Sequence, residues 1–320
     1  MKLTIYALTM FALAACTSPQ EEAIDRHALV TRNNPEVTAM DSLSSLSVGN
    51  GEFAYTVDAT GLQTFPEVYK NGVPLGTQSQ WGWHSFGNPE NYKPEEALVE
   101  YDFSHGHKEL YATQPKEPGR AKEASDWYRV NPHRLHLGII GLELENEVRP
   151  SDVQNIQQSL DMWNGIINSR FTLKETPYHI QTVCHPERDM IAARLSAQQP
   201  AGIKFHFPYP TGGHCDDACN WEANDKHSTT LVSEDAQSAV LKRTLDATTY
   251  YVTISWEGAA KLREKSANYF VLTPTDSVFT FTCQFTPQAS ASPILTFAEV
   301  QQASSGHWQN YWTQGAVADY

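Results

Sequence analysis

The sequence predicts an all-β fold, an antiparallel sandwich followed by a single C-terminal helix. Short segments that alternate apolar and polar residues recur between turn residues for most of the chain, with no fixed-period repeat and no low-complexity block. So many short strands joined by turns form the pattern of two packed sheets. The last element breaks that pattern. Thr296 with Glu299 three residues on forms a capping box, and Phe297, Val300, Trp308, Tyr311 and Trp312 fall along one helical stripe.

The chain opens on MKLTIYALTMFALAAC, with one early cation at Lys2, a hydrophobic run from Leu3 to Ala15, and small residues just before Cys16. This is the layout of a cleaved export signal, and the run is too short for a permanent span. Leu13-Ala14-Ala15-Cys16 resembles the bacterial lipobox, which implies a mature chain starting at an acylated Cys16 and held to a membrane by its lipid. The alternative is an ordinary signal peptide with a chance cysteine. Thr17 in the next position resembles lipoproteins of the outer membrane, so the expected location is that of an exported bacterial lipoprotein, on its periplasmic or cell-surface face. Residues 16–29 are polar and read as a tether.

The expected sandwich covers residues 30–293. Phe53, Tyr55 and Val57 alternate before a turn at Ala59-Thr60-Gly61. VEYDF and KELYA flank His105-Gly106 as a hairpin, and IQQSLDMW and IINSRFTL flank Asn164-Gly165 as another. YHIQTVCH, MIAARLS, AVLKRTL, TYYVTISW, YFVLT and SVFTFTCQF continue the series. The helix and its flanks occupy residues 294–320.

Composition narrows the partners. The formal charge is −14, one more negative once Lys2 leaves with the signal, so nucleic acid and anionic lipid are poor partners. Aromatics at 11% with eight Trp suit neutral ligands such as sugars, whose C–H faces pack on indoles, although Trp also serves the core. Besides Cys16 there are Cys184, Cys215, Cys219 and Cys283, which allow three pairings that the sequence does not choose among. GGHCDDAC places His214 near Cys215 and Cys219 but lacks a second ligand pair at finger-like spacing, so a local disulfide or free thiols fit better than a metal.

Several motifs fail on context. VGNGEFA matches a dinucleotide-binding glycine pattern, but a strand follows where a helix is required, so Gly49-Asn50-Gly51 reads as a hairpin turn. His133 and His136 in NPHRLHLG would point to opposite faces of a strand and so would not share a metal. Neither a nucleophile elbow nor a zincin helix occurs. The acidic pairs Asp216 with Asp217 and Glu143 with Glu145 read as solvated surface. No cofactor is expected.

A set of longer stretches, in a shared order, carries a resemblance. SLSVGNGEFAYTVDATGLQTFPEVY, QSQWGWHSF, WYRVNPHRLHLGIIGLELE, LDMWNGIINSRFTL with HPERDMIAARL, and FPYPTGGHCDDACNW together resemble the N-terminal region of bacterial six-hairpin glycosidases, the clan related to glycoside hydrolase family 65. The resemblance implies an antiparallel β-supersandwich of the galactose-mutarotase-like kind. It also implies that FAEVQQASSGHWQNYWTQGAVADY is the linker helix leading to an (α/α)6 barrel, which lies outside this chain. In such enzymes the acid and base are carboxylates on barrel loops, so no catalytic residue carries over and the chain alone is expected to be inactive. The aromatic stripe of the linker is then expected to lack its cover.

Sandwich loops of such enzymes help shape the sugar site, which points to QSQWGWHSFGNPENY, where Trp81, Trp83, His84 and Tyr92 gather stacking faces and a donor in a Gly- and Pro-punctuated loop. The alternative is that these rings only cover a sandwich edge. TGGHCDDACNW offers His214, Asp216, Asp217 and Trp221 as a second group, and Asn50 with Glu52 could join the same face. Three readings follow: a non-catalytic part of a surface-anchored glycoside hydrolase, a stand-alone carbohydrate-binding lipoprotein, or a structural lipoprotein without a ligand.

Overall fold

The computed structural model describes residues 24–213, 217–290 and 293–319. The expected signal and the expected lipidation site Cys16, together with His214, Cys215 and Asp216, lie outside the described residues. In chain order the strands are β1 (Glu36–Val37), β2 (Leu46–Gly49), β3 (Phe53–Val57), β4 (Thr77–Ser79), β5 (Trp83–His84), β6 (Leu98–Asp102), β7 (Lys108–Ala112), β8 (His133–Arg134), β9 (Ile139–Glu143), β10 (Val153–Asp161) and β11 (Ile166–Leu173). They continue as β12 (Thr176–Cys184), β13 (Met190–Ala197), β14 (Gly202–His206), β15 (Tyr209–Pro210), β16 (Cys219–Asn220), β17 (His227–Glu234), β18 (Ser238–Leu245), β19 (Thr248–Glu257), β20 (Ala260–Ser266), β21 (Tyr269–Pro274) and β22 (Val278–Thr286). The helices are α1 (Arg26–Thr31), α2 (Pro66–Tyr69), α3 (Arg120–Arg129) and α4 (Phe297–Thr313).

Nine strands form one sheet in the order β1-β10-β11-β12-β13-β22-β19-β18-β17, and four form a second in the order β20-β21-β14-β9. The pairings among the described strands are antiparallel, both where a short turn joins neighbours, as in β10-β11-β12-β13, and where the partners lie far apart in the chain, as in β13-β22-β19. The inner face of the large sheet, with Ile167, Phe171, Ile180, Leu195, Val252, Phe281 and Phe285, packs against Ile140, Leu142, Ile203, Phe205 and Leu272 of the second sheet in one core. The fold is therefore the expected all-β sandwich with a C-terminal helix.

The small sheet β2-β3-β4 adds Val48, Phe53, Tyr55 and Val57 to the same core. Its first turn is the anticipated Gly49-Asn50-Gly51: Asn50 Oδ1 accepts from the N–H groups of Glu52 (2.9 Å) and Phe53 (2.7 Å), and Gly51 takes φ +91°. Asn50 Nδ2 also donates to Arg188 O (3.1 Å), which pins this turn to the one joining β12 and β13.

The outer face of the large sheet is covered by α4. Ile166, Val183, Met190 and Ala192 form a second apolar cluster with Phe297 and Val300, so the molecule is layered sheet, sheet, helix. The capping box is present, with Thr296 and Glu299 bonded reciprocally. This corrects the expectation of an uncovered stripe: Phe297 and Val300 are buried, Trp308 and Trp312 are half-buried, and Tyr311 alone of the five stays open at 58% exposure. Within the stretch expected as tether, the described residues from Arg26 on form helix α1, which starts under an Asp25 cap and docks on the C-terminal end of α4. Among the described residues no helix is long and apolar enough to cross a membrane.

Among the described residues Cys184, Cys219 and Cys283 are free thiols, and Cys215 lies outside the described residues. Cys184 and Cys283 both lie opposite Ile191, on either side of β13, so two strand spacings of roughly 4.8 Å separate them, beyond disulfide reach.

Candidate functional site

A cleft of about 570 Å³ opens between the β2-β3-β4 sheet on one side and α4 with the β10–β11 turn on the other. Its polar wall carries Glu52, Gln78, Gln80 and Arg134, and its aromatic wall is Trp308 and Trp312. The two indoles lie 6.4 Å apart, centroid to centroid, with planes 29° from parallel.

Each wall is held by specific bonds. Trp312 Nε1 donates to Met162 O (2.6 Å), Ser304 Oγ donates to Asn164 O (3.1 Å) and Gln309 Nε2 donates to Asn164 Oδ1 (2.9 Å), which ties the C-terminal half of α4 to the β10–β11 turn. Gly165 in that turn has φ +67°, and a Cβ there would fall 2.1 Å from Trp308 Cδ1, so the indole lies directly on the glycine. Arg26 donates to the carbonyls of Trp312 (3.0 Å), Gln314 (3.1 Å) and Gly315 (2.7 Å), satisfying acceptors that the end of α4 leaves open. Opposite, Arg134 donates to Ser79 O and Gln80 O, both at 2.8 Å, and its guanidinium stacks 4.2 Å above the Trp83 ring.

Such a cleft suits an amphipathic, uncharged ligand. Indole faces accept C–H groups, while two amides, one carboxylate and one guanidinium supply donors and acceptors for hydroxyls. Glu52 is the one carboxylate among the described lining residues, whereas glycoside hydrolysis takes two across the scissile bond.

The residues singled out in the sequence do not share one place. Trp83 is 45% exposed and carries the guanidinium of Arg134, a lining residue, without lining the cleft itself. Trp81 is half-buried, its indole donating to Asp189 Oδ2 (2.6 Å), so it braces the floor under the loop. His84 is buried: Nδ1 meets His133 Nε2 at 3.0 Å and Nε2 meets Asp246 Oδ2 at 2.9 Å, while Tyr209 O–H donates to the same Asp246 oxygen (2.7 Å). Burial lowers the His84 pKa, against the opposing pull of Asp246. Tyr92 lies under the Arg120 guanidinium at 4.6 Å, in the segment joined to α3. Asp217 is paired with Lys70, and Trp221 lies beside His206 (ring centroids 4.7 Å, planes tilted by 44°) in a separate cavity. His214 and Asp216 are outside the described residues, as is Cys16.

His133 and His136 point to different surroundings, the first to His84 and the second to Trp221 at 5.9 Å, and among the described residues no group of His, Cys, Asp and Glu could hold a metal. Gln78, Gln80 and Arg134 were missed. Arg134 sits inside NPHRLHLG between His133 and His136 with no local pattern to mark it, and Trp308 and Trp312 carry the helical stripe expected of a connector.

No protein-family model matches the chain, and no curated protein sequence does. Among solved structures, a chain assigned as a kojibiose phosphorylase from the human microbiome overlays with a TM-score of 0.44 at 10% identity, over 83% of this chain and 35% of that one. A bacterial glucoamylase complexed with acarbose gives 0.34 at 9% identity, over 51% and 29%. A 4-α-glucanotransferase from Thermococcus litoralis gives 0.22 at 14% identity, over 79% and 39%. The chain thus spans between about three tenths and two fifths of these structures' lengths, and its architecture rests on the strand order above.

Proposed function

We propose that this chain is a carbohydrate-contacting β-sandwich whose sugar site is the cleft between the β2-β3-β4 sheet and α4. The observation that carries the reading is the pairing of two adjacent indoles with Glu52, Gln78, Gln80 and Arg134 across one opening. In its finer form, the chain is the non-catalytic N-terminal part of a surface-anchored glycoside hydrolase, acylated at Cys16, whose barrel would extend the same cleft. The resemblance of the quoted stretches to six-hairpin glycosidases supports that form.

One feature favours the stand-alone carbohydrate-binding alternative. Helix α4 is covered and bonded by its own sandwich, so the stripe needs no barrel against it.

Calorimetric titration of the purified protein with a panel of neutral α- and β-linked oligosaccharides tests the site. Saturable binding that falls about fivefold or more in Trp308→Ala and Trp312→Ala is expected, since stacking on one ring contributes on the order of 1 kcal/mol or more. Binding untouched by either change would reject the cleft. Turnover of any substrate, lost on replacing a single Asp or Glu, would show that the chain is itself catalytic.

A further inference from the structure

A second cavity of about 500 Å³, sharing no lining residue with the first cleft, lies against β9, β14 and β21. Its walls include the rings of Phe65, His206, Trp221 and Tyr269, and Lys204 enters from β14. The lysine stem crosses Gly141, where an added Cβ would come within 2.8 Å of Lys204 Cε and 2.2 Å of Gln63 O. The glycine therefore makes the channel through which the ammonium reaches the cavity.

The Lys204 ammonium is under-satisfied there. It donates to Thr64 O at 2.8 Å, and among the described residues no carboxylate stands within ion-pair distance of it. Glu143, the acid nearest in kind, is taken by Lys265 and by the Tyr269 hydroxyl. Burial lowers the Lys204 pKa, with the more distant Asp58 and Glu143 opposing. Glu67, Arg149 and Glu222 also line the cavity but are exposed, whereas Lys204 is half-buried, so water screens their charges more than that of the ammonium. An ammonium with spare donors behind aromatic walls calls for an anion carrying an apolar-faced ring. The volume is well beyond what a bare anion fills.

We infer that this cavity binds a hexuronate sugar, with the carboxylate on the Lys204 ammonium and the ring against Trp221. The site is distinct from the proposed neutral-sugar cleft and stands or falls separately. The test titrates the purified protein with D-galacturonate, D-glucuronate, D-glucose and acetate. Expected is saturable binding of one or both uronates, at least about tenfold tighter than glucose or acetate, since a charge-assisted hydrogen bond and ring contact act together. Lys204→Met and Trp221→Ala should each weaken it, and Trp308→Ala should not. In the unaltered protein, the Lys204 side-chain ammonium resonance should shift and its pKa rise on addition of the uronate, a readout independent of whether the variants fold. Binding of acetate as tight as uronate, equal binding of glucose, no uronate binding, or an unmoved Lys204 signal would each overturn the inference.

Discussion

Helix α4 and the β6–β7 hairpin each present three neighbouring aromatics, and the fold treats them differently. In α4, Trp308 and Trp312 are half-buried because Phe297 and Val300 anchor the first turn in the sheet and an indole N–H is bonded to Met162 O. In the hairpin, Tyr101, Phe103 and Tyr111 touch one another at 5.6–6.4 Å yet remain 53%, 49% and 56% exposed, since both faces of this two-stranded ladder are open. Aromatic spacing alone therefore does not decide burial. What decides it is whether the flank of the segment has a sheet to land on.

Acid should separate the two regions most strongly. Burial pushes His136, His206 and His227 down to about 4. The geometry agrees: Gly138 N–H donates to His136 Nδ1 (3.1 Å) and Arg243 donates to His227 Nδ1 (2.8 Å), so both imidazoles are held neutral. An unfolded chain takes up these protons near pH 6.5 and the folded chain only near 4, so stability is full above about 6.5 and is lost as pH falls toward 4. Urea midpoints should drop between pH 7.5 and 4.5. Amide exchange of α4 should accelerate with that of the large sheet, while exchange in the hairpin, set by local opening, should follow only the intrinsic pH dependence.

Removing the anchor comes next. Phe297→Ala empties a buried site and should cost about 3–5 kcal/mol, read by denaturant unfolding, while freeing Trp308 and Trp312 to solvent in their fluorescence. Gly165→Ala should cost less, roughly 1–2 kcal/mol from the positive φ and the displaced Trp308 ring, but should distort the cleft. Tyr101→Ser should move stability by no more than about 0.5 kcal/mol, because the side chain is already exposed. A loss comparable to that of Phe297→Ala would show that the hairpin has a landing surface after all.

The same contrast explains what could be read in advance. Phe53–Val57 and Ile166–Leu173 show period-two patterns because one face is wet or less buried, and both were legible as strands. Ile139–Glu143 is buried on both faces, so IIGLE carries no alternation to read. The two-residue strands β5 and β8 are too short to leave a pattern, and their pairing through Trp83 and Arg134 is a tertiary fact. Helix α3 went unread, since its window RAKEASDWYR buries little more than Ala124 and Ser125. The cleft was hidden for a different reason. Glu52, Arg134 and Trp308 come from segments far apart in the chain, and no local motif joins them. His84 misled because a ring donor in a Gly-rich loop reads as available, whereas Asp246 and His133 occupy both of its nitrogens.

The central claim is that the paired indoles of α4, rather than the open rings of the hairpin, meet the sugar. The direct measurement is a ¹H–¹⁵N NMR titration with the best-binding neutral oligosaccharide, following the Trp308 and Trp312 indole N–H signals beside the amides of residues 98–112. The account predicts saturable shifts at the Trp308 indole and at Gln78 and Gln80, with the hairpin amides unmoved. Shifts confined to the hairpin, or no shift at either indole with any sugar of the panel, would contradict it.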